Sequence, residues 1–128
     1  MRNFRKLEVW TEAIDLTKDI YSFKECLPKS EIYGLSSQIC RAVISISSNL
    51  AEGCSRNSEK EFIRFIEIAI GSAFEVESLL IVSKELELAK NFDYQPIFEK
   101  LEKLQKKPMH LEIILLTLLR INLPKTKD

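Results

Sequence analysis

The sequence predicts an all-α protein, an antiparallel up-down-up-down four-helix bundle. Its composition favours helix, because only 3 Gly and 4 Pro occur in 128 residues. In four segments the apolar residues recur at steps of three and four, which is the period of one helix face. Short connections separate these segments, so consecutive helices are expected to run in opposite directions. An apolar fraction of 45% supplies one core, which predicts a single domain over residues 1–123 and a frayed tail over 124–128.

The first predicted helix runs from about Lys6 to Cys26. Leu27 precedes Pro28, and the residue before a proline is pushed out of helical geometry, so the helix is expected to end there. The stripe predicted to face the core comprises Trp10, Ala13, Ile14, Thr17, Ile20 and Tyr21.

The second predicted helix begins after Ser30, whose hydroxyl is suited to cap it, with Glu31 complementing the helix dipole. Gly53 is predicted to end it in a left-handed conformation. Its predicted core stripe comprises Ile32, Leu35, Ile39, Ala42, Ile46 and either Asn49 or Leu50.

The third predicted helix begins after Ser58, which forms a capping box with Glu61, and reaches about Leu88. Gly71 gives it a small position where a neighbouring helix is expected to approach closely. The stripe predicted to face the core comprises Phe62, Ile66, Ala69, Ala73, Val76 and Leu80. A second stripe beside it comprises Phe65, Ile68, Ser72, Leu79, Val82 and Leu86.

The fourth predicted helix starts between Asp93 and Pro96, because proline is tolerated in a first turn. Pro108 removes a hydrogen bond inside the same pattern and predicts a kink or a break. The predicted core stripe comprises Ile97, Leu101, Leu104, Leu111, Leu115 and Leu118. The lysines of this helix alternate with glutamates and are predicted to be solvated; they include Lys100, Lys103 and Lys106.

The apolar side chains exceed what four inward stripes can bury. An exposed apolar surface of that size promotes association, so a homo-oligomer is expected. The residues predicted to form the oligomer interface are Phe65, Ile68, Leu79 and Val82. Ile113, Ile114, Leu116 and Leu119 add to the surplus.

The connection between the second and third helices gathers polar and basic residues. Asn49 and Glu52 are expected to hydrogen-bond the capping turn or the start of the third helix. The predicted structural corner comprises Ser48, Asn49, Glu52, Gly53, Ser58 and Glu61. A predicted basic patch comprises Arg41, Arg56, Lys60 and Arg64. Two interpretations stay open: the patch contacts nucleic-acid phosphates, or neighbouring glutamates neutralise it and it is solvated surface.

Six segments of the sequence form a recognisable pattern when they are taken together. Three of them are Phe4-x-x-Leu7-x-Val9-Trp10, Pro28-x-x-Glu31-x-Tyr33-Gly34-Leu35 and Gln38-Ile39-x-Arg41-Ala42. The others are Ser45-Ile46-x-Ser48-Asn49-Leu50-Ala51-Glu52-Gly53, Arg56-x-Ser58-x-x-Glu61-Phe62-x-Arg64-Phe65 and Ile68-Ala69-x-Gly71-Ser72-x-x-Glu75-x-Glu77. These six segments resemble a known family of four-helix bundles, the 23S rRNA intervening-sequence proteins, some of which are encoded within large-subunit rRNA genes. The Asn-Leu-Ala-Glu-Gly segment is the most specific part of the resemblance.

This resemblance implies an antiparallel bundle that assembles as a pentameric ring and has no enzymatic activity. The chain is also similar to the accessory protein of diversity-generating retroelements, which implies nucleic acid (RNA or DNA) and a reverse transcriptase as partners. Two features depart from the family pattern. Cys40 stands where a second basic residue often precedes Arg41, and Pro108 interrupts a helix that is normally continuous.

No catalytic site, metal site or cofactor is predicted. His110 is the single histidine, so a nucleophile–base set has no second imidazole to use. A di-metal bundle would need a Glu-x-x-His pair on each of two helices, and the chain has none. Cys26, Cys40 and Cys54 lack metal-type spacing and are predicted to be buried, reduced thiols.

Charge and hydropathy limit which binding partners and which cellular locations are expected for the chain. Lys plus Arg equal Asp plus Glu at 19 each, so any nucleic-acid binding has to come from local patches. Charges near the start of the chain argue against a secretory signal. The longest apolar run is shorter than the roughly 20 residues that span a bilayer. A cytoplasmic protein without a membrane partner is therefore expected.

Overall fold

Four α-helices build the part of the chain described by the structure, a computed structural model that covers residues 2–106. They are α1 (Glu8–Lys24), α2 (Leu35–Cys54), α3 (Glu59–Glu85) and α4 (Gln95–Lys106). Short 3₁₀ helices, Phe4–Lys6 and Lys29–Glu31, precede α1 and α2. Residues 2–106 contain no strand, and the predicted all-α antiparallel bundle is confirmed.

Each helix packs against two neighbours around one core. Within residues 2–106, the backbone of α1 lies close to those of α2 and α4, and α3 lies close to the same two helices, whereas the backbones of the diagonal pairs do not approach each other closely. This is the square arrangement of an up-down bundle. The largest fully buried side chains come from all four helices and include Leu16, Ile20, Phe23, Ile39, Ile46, Leu50, Phe62, Leu80, Leu101 and Leu104.

The buried face of α1 differs from the predicted one. The residues that α1 buries are Val9, Ala13, Leu16, Ile20 and Phe23. Of the predicted stripe, Trp10, Ile14 and Thr17 are only half-buried and Tyr21 is exposed. Both stripes have helical spacing and share Ala13 and Ile20, so periodicity alone does not choose between them. Packing against α2 and α4 determines which of the two stripes is buried.

The start and end predicted for α2 are wrong. Pro28 opens a 3₁₀ turn instead, and α2 begins at Leu35, where Glu31 Oε2 accepts a hydrogen bond from the Leu35 backbone N–H at 3.1 Å. Ser30 therefore does not cap the helix, and Ile32 lies outside it. The predicted core residues within α2 are buried, with Leu50 rather than Asn49 facing inward.

Gly53 is helical, and no glycine in residues 2–106 has a positive φ. Its role is close packing. A Cβ at position 53 would lie 2.9 Å from the Phe65 Cβ, closer than real contacts allow. The glycine thus lets α2 and α3 approach each other where they meet.

The Ser58 cap and the core stripe predicted for α3 are confirmed, but the hydrogen bonds of residues 2–106 do not include the reciprocal bond of a capping box, from the Ser58 backbone N–H to the Glu61 carboxylate. Ser58 Oγ accepts a hydrogen bond from the Glu61 backbone N–H at 3.1 Å, and all six predicted core residues are buried. The expectation for Gly71 is wrong, since a Cβ there would meet nothing within 4 Å. The helix ends at Glu85, earlier than predicted, and Glu87 follows with a left-handed φ of 54°.

The described part of α4 agrees with the prediction. It starts within the predicted window and buries Ile97, Leu101 and Leu104. The remaining predictions for this helix concern Pro108, His110, Leu111, Ile113, Ile114, Leu115, Leu116, Leu118, Leu119 and the tail 124–128, which lie outside the described residues.

The three cysteines are reduced thiols in different surroundings. Cys54 is buried as predicted, Cys40 is half-buried and Cys26 is exposed, so the prediction of burial is wrong for Cys26. Partial burial raises the pKa of the Cys40 thiol.

Candidate functional site

The turn between α2 and α3 is held from outside by Arg2. Its guanidinium donates to the Arg56 carbonyl oxygen at 3.3 Å, pairs with the Glu59 carboxylate and lies 3.8 Å from the centroid of the Phe62 ring. Only 10% of the Arg2 side chain is exposed. The sequence did not predict this role of Arg2, because a local sequence pattern cannot indicate an interaction between residues that are more than fifty positions apart.

Arg56 belongs to the same corner. Its Nη2 donates to Glu52 Oε1 at 2.9 Å, one helical turn back, and its guanidinium lies 4.8 Å from the centroid of the Phe65 ring. Glu52 thus bonds the turn, as expected. Arg56 serves mainly to hold the corner, so it is less available to a ligand than the sequence suggested.

Asn49 does not reach the capping turn or α3, contrary to expectation. Its Nδ2 donates back to the Ser45 carbonyl oxygen at 2.7 Å and to Ser45 Oγ at 2.9 Å. Ser45 Oγ in turn lies 2.8 Å from Ser72 Oγ on α3. These short side chains form a neutral hydrogen-bonded seam between α2 and α3. Ser48, the remaining residue predicted for the corner, is exposed.

Of the four cations in the predicted basic patch, Lys60 and Arg64 are the two that lie side by side and are exposed to solvent. They lie one helical turn apart on α3 and are exposed. With Glu61, Ile63 and Glu67 they line an open cavity of about 670 Å³. Within residues 2–106 neither cation takes part in an ion pair.

Arg41 is exposed but lies apart from the other three cations. It sits in the first third of α2. At about 1.5 Å per residue, its Cα is roughly 20 Å from the end of that helix at Cys54. The structure therefore divides the predicted patch into Arg41, the corner residue Arg56, and the pair Lys60–Arg64.

The residues predicted for the oligomer interface are partly accessible. Ile68 and Val82 are each 42% exposed, while Phe65 and Leu79 are half-buried. Other large apolar side chains are exposed as well: Phe74, Ile81 and Leu86 on or next to α3, Tyr21 on α1, Ile44 on α2, and Ile32 and Tyr33 in the segment before α2. The spacing of Phe74 and Ile81, seven residues apart, could have indicated a third stripe on α3.

A second group of cations bridges α4 to α1. Lys100 Nζ lies 2.8 Å from Asp15 Oδ2 and 2.5 Å from Asp19 Oδ2, and Lys103 Nζ lies 3.1 Å from Glu12 Oε1. The hydrogen bond and the charge of Lys100 lower the pKa of Asp15, and the two aspartates raise the pKa of Lys100. These lysines are not merely solvated, as the sequence pattern suggested.

Residues 2–106 provide neither a membrane-spanning helix nor a metal centre. No helix among them combines the length and the apolar character that crossing a membrane requires. No cluster of three or more His, Cys, Asp or Glu side chains in this part of the chain is arranged to hold a metal ion.

Comparison with known proteins identifies the family. Residues 5–109 match the family model of the 23S rRNA-intervening sequence protein, which is most of the 128-residue chain. The chain therefore belongs to this family. No curated protein matches it.

Proposed function

We propose that this member of the 23S rRNA-intervening sequence protein family acts as a non-enzymatic, cytoplasmic homo-oligomer that displays cations to RNA or DNA. The exposed apolar surface supports the assembly. Nine large apolar side chains among residues 2–106 are exposed, from 38% for Tyr21 to 97% for Tyr33. Scattered exposure is normal, but several of these residues share helix faces, which is typical of an association surface.

The proposed subunit number is five, which is what the family resemblance implies. Phe65, Ile68, Leu79 and Val82 remain proposed interface residues, with Ile68 and Val82 offering the most accessible surface. Light scattering on the purified protein is expected to give a mass five times that of one chain. A single-chain mass at micromolar concentration would contradict the assembly.

The proposed nucleic-acid contact is the pair Lys60–Arg64. Two exposed cations in one copy bind phosphate weakly, but a ring repeats them, and several weak contacts together gain from multivalency. Such binding is independent of base sequence and falls as salt rises. The formal net charge of zero leaves no general attraction to add to it.

A second candidate is a scaffold that binds a protein partner and no nucleic acid. One observation favours it: Glu61 and Glu67 line the same cavity as Lys60 and Arg64, and so offset the positive charge locally. Under this alternative the apolar faces or the acidic side chains engage the partner.

Fluorescence anisotropy with a labelled single-stranded oligonucleotide at two salt concentrations separates the two candidates. The double variant Lys60→Ser/Arg64→Ser is expected to lose most of the binding, and its log–log salt slope should be shallower by roughly 0.7 for each phosphate that it no longer neutralises. The matched control, Lys84→Ser/Lys90→Ser, removes the same charge elsewhere and is expected to retain binding. Equal affinity of both variants would rule out binding through Lys60 and Arg64, and no binding by the wild type would favour the protein scaffold.

A further inference from the structure

An apolar groove runs between α1 and α2 on the outside of the bundle. Ile14, Thr17 and Tyr21 on α1 and Ile44 on α2 line a cavity of about 290 Å³. Tyr21 also lines a neighbouring cavity of about 580 Å³, together with Ile32, Tyr33 and Cys40 among others. Because the two cavities share Tyr21, they form one continuous surface, which we call the α1–α2 groove.

The rim of the α1–α2 groove is basic. Lys18 lines the smaller cavity, and Lys24 and Lys29 line the larger one. None of the three forms an ion pair within the described part of the chain. Glu25 is the only carboxylate among the described residues that line the two cavities. The groove therefore suits an apolar surface flanked by negative charge.

Such a surface lies on the side of α3 that points away from the core. It comprises Gly71, Phe74, Ser78, Ile81 and Val82, flanked by Glu67, Glu75 and Glu85, and all eight residues are exposed. We call it the outer α3 face. Positions 71, 74, 78 and 81 alternate by three and four, so these residues share one side of the helix, and Arg64 lies on the same side one turn before Glu67. Phe74, 54% exposed, is its largest apolar side chain.

The two surfaces lie on different sides of the bundle. α2 stands between α1 and α3, and the outer α3 face is opposite the stripe that α3 buries. One copy therefore cannot close its own groove with its own α3. The outer α3 face of a second copy can cover the groove, and its carboxylates are opposite in charge to the lysines of the rim.

We propose that the outer α3 face of one copy docks into the α1–α2 groove of the next. Phe74 and Ile81 then cover the apolar floor around Tyr21 and Ile44, while carboxylates on the α3 face meet the lysines of the rim. This inference rests on the proposed assembly and assigns it to these two surfaces, which contain Val82 but not Phe65, Ile68 or Leu79 of the predicted interface. A contact between two different surfaces is heterologous, so it builds a closed ring or an open filament rather than a twofold dimer.

The net charge is consistent with such a contact. Each copy supplies one groove with a basic rim and one α3 face that is acidic from Glu67 to Glu85, so the contact is complementary although the chain is neutral overall. Opposite charges on separate surfaces speed association and fix its register. Rising salt is therefore expected to slow assembly.

Two single variants test the contact, each changing an exposed residue. Ile44→Glu places a carboxylate in the α1–α2 groove, and Phe74→Glu places one on the outer α3 face. Each change is expected to prevent docking through that surface. Each variant alone is expected to sediment as a single chain. Mixed in equal amounts, they are expected to form a dimer and nothing larger, because one intact face and one intact groove remain between them. The control Asn57→Glu adds the same charge at an exposed position in the turn between α2 and α3, outside both surfaces, and is expected to assemble like the wild type.

The outcomes separate this inference from the proposed function. If the wild type is a single chain, the assembly itself is wrong. If the wild type assembles and either variant assembles equally well, only the docking of these two surfaces is overturned. Two single-chain variants that do not combine when mixed would also overturn it, since that result indicates contact of like surfaces. Circular dichroism and urea unfolding on each variant confirm that it is folded.

Discussion

The α2–α3 seam and the α1–α4 seam join neighbouring helices of the same bundle by different means. Along α2–α3, Gly53 lets the backbones approach closely, and the Ser45 and Ser72 hydroxyls hydrogen-bond across the contact, with the Asn49 amide bonded to Ser45 on the α2 side. Along α1–α4, long lysine side chains of α4 reach carboxylates of α1. The first seam depends on shape and the second on charge, so the two should respond differently to mutation, salt and pH.

The largest effect is expected where shape matters most. Gly53→Val places a side chain 2.9 Å from the Phe65 Cβ position, and overpacking of this kind costs about 1–3 kcal/mol. Urea unfolding at equilibrium measures the loss in the free energy of unfolding. Gly71→Ala is the matched control on α3, since a Cβ there meets nothing within 4 Å, and it is expected to gain up to about 1 kcal/mol of helix propensity. Equal stability changes at both glycines would show that close approach does not explain Gly53.

Gly53 also shows what sequence patterns can and cannot predict. The start of α3 was predictable because its signal is local: Ser58 caps the helix three residues before Glu61. The role of Gly53 was not, because left-handed turns and close helix packing both select glycine, and only the position of Phe65 decides between them. The start of α2 was likewise missed, because the Glu31 side chain bonds the Leu35 backbone N–H in place of a Ser30 cap.

The candidate site was predicted less well than the fold, for a related reason. Lys60 with Arg64 and Lys100 with Lys103 are similar pairs of cations one helical turn apart. The second pair is engaged because α1 presents Glu12, Asp15 and Asp19 to it, whereas the first pair has no such neighbour within residues 2–106. Whether a cation is available to a ligand thus depends on whether the neighbouring helix places carboxylates opposite it. The sequence pattern of a single helix does not contain that information.

A smaller effect is expected for the hydrogen bonds of the α2–α3 seam. Ser72→Ala removes the Ser72 hydroxyl that lies 2.8 Å from Ser45 Oγ, and a typical hydrogen bond contributes about 1 kcal/mol net. The loss should be independent of salt, because no ion takes part. Ser78→Ala is the control on the exposed side of α3 and is expected to change the free energy of unfolding by less than about 0.5 kcal/mol. A loss for Ser72→Ala that shrinks in 1 M salt would contradict a neutral seam.

The smallest effect is expected at the α1–α4 seam. Lys100→Met removes the ion pairs with Asp15 and Asp19, but the lysine side chain is 41% exposed, and exposed pairs contribute about 0.2–1 kcal/mol. The loss should be visible at low salt and disappear near 1 M, where the Debye length falls to about 3 Å. Lys84→Met, a change on α3 where the lysine has no ion pair within residues 2–106, is the control.

The pH dependence of the same variant tests the charge mechanism directly. The folded pKa of Asp15 is below its ordinary value of 3.8, so its contribution is complete above that pH and is lost as the pH falls through the lower folded value. The folded pKa of Lys100 is above its ordinary value of 10.5, so its contribution is complete below that pH and is lost as the pH rises through the higher folded value. The stability difference between the wild type and Lys100→Met should therefore be flat from about pH 5 to 9 and shrink on both sides. A difference that stays constant to pH 2 would mean that Lys100 acts by packing its methylene groups rather than by its charge.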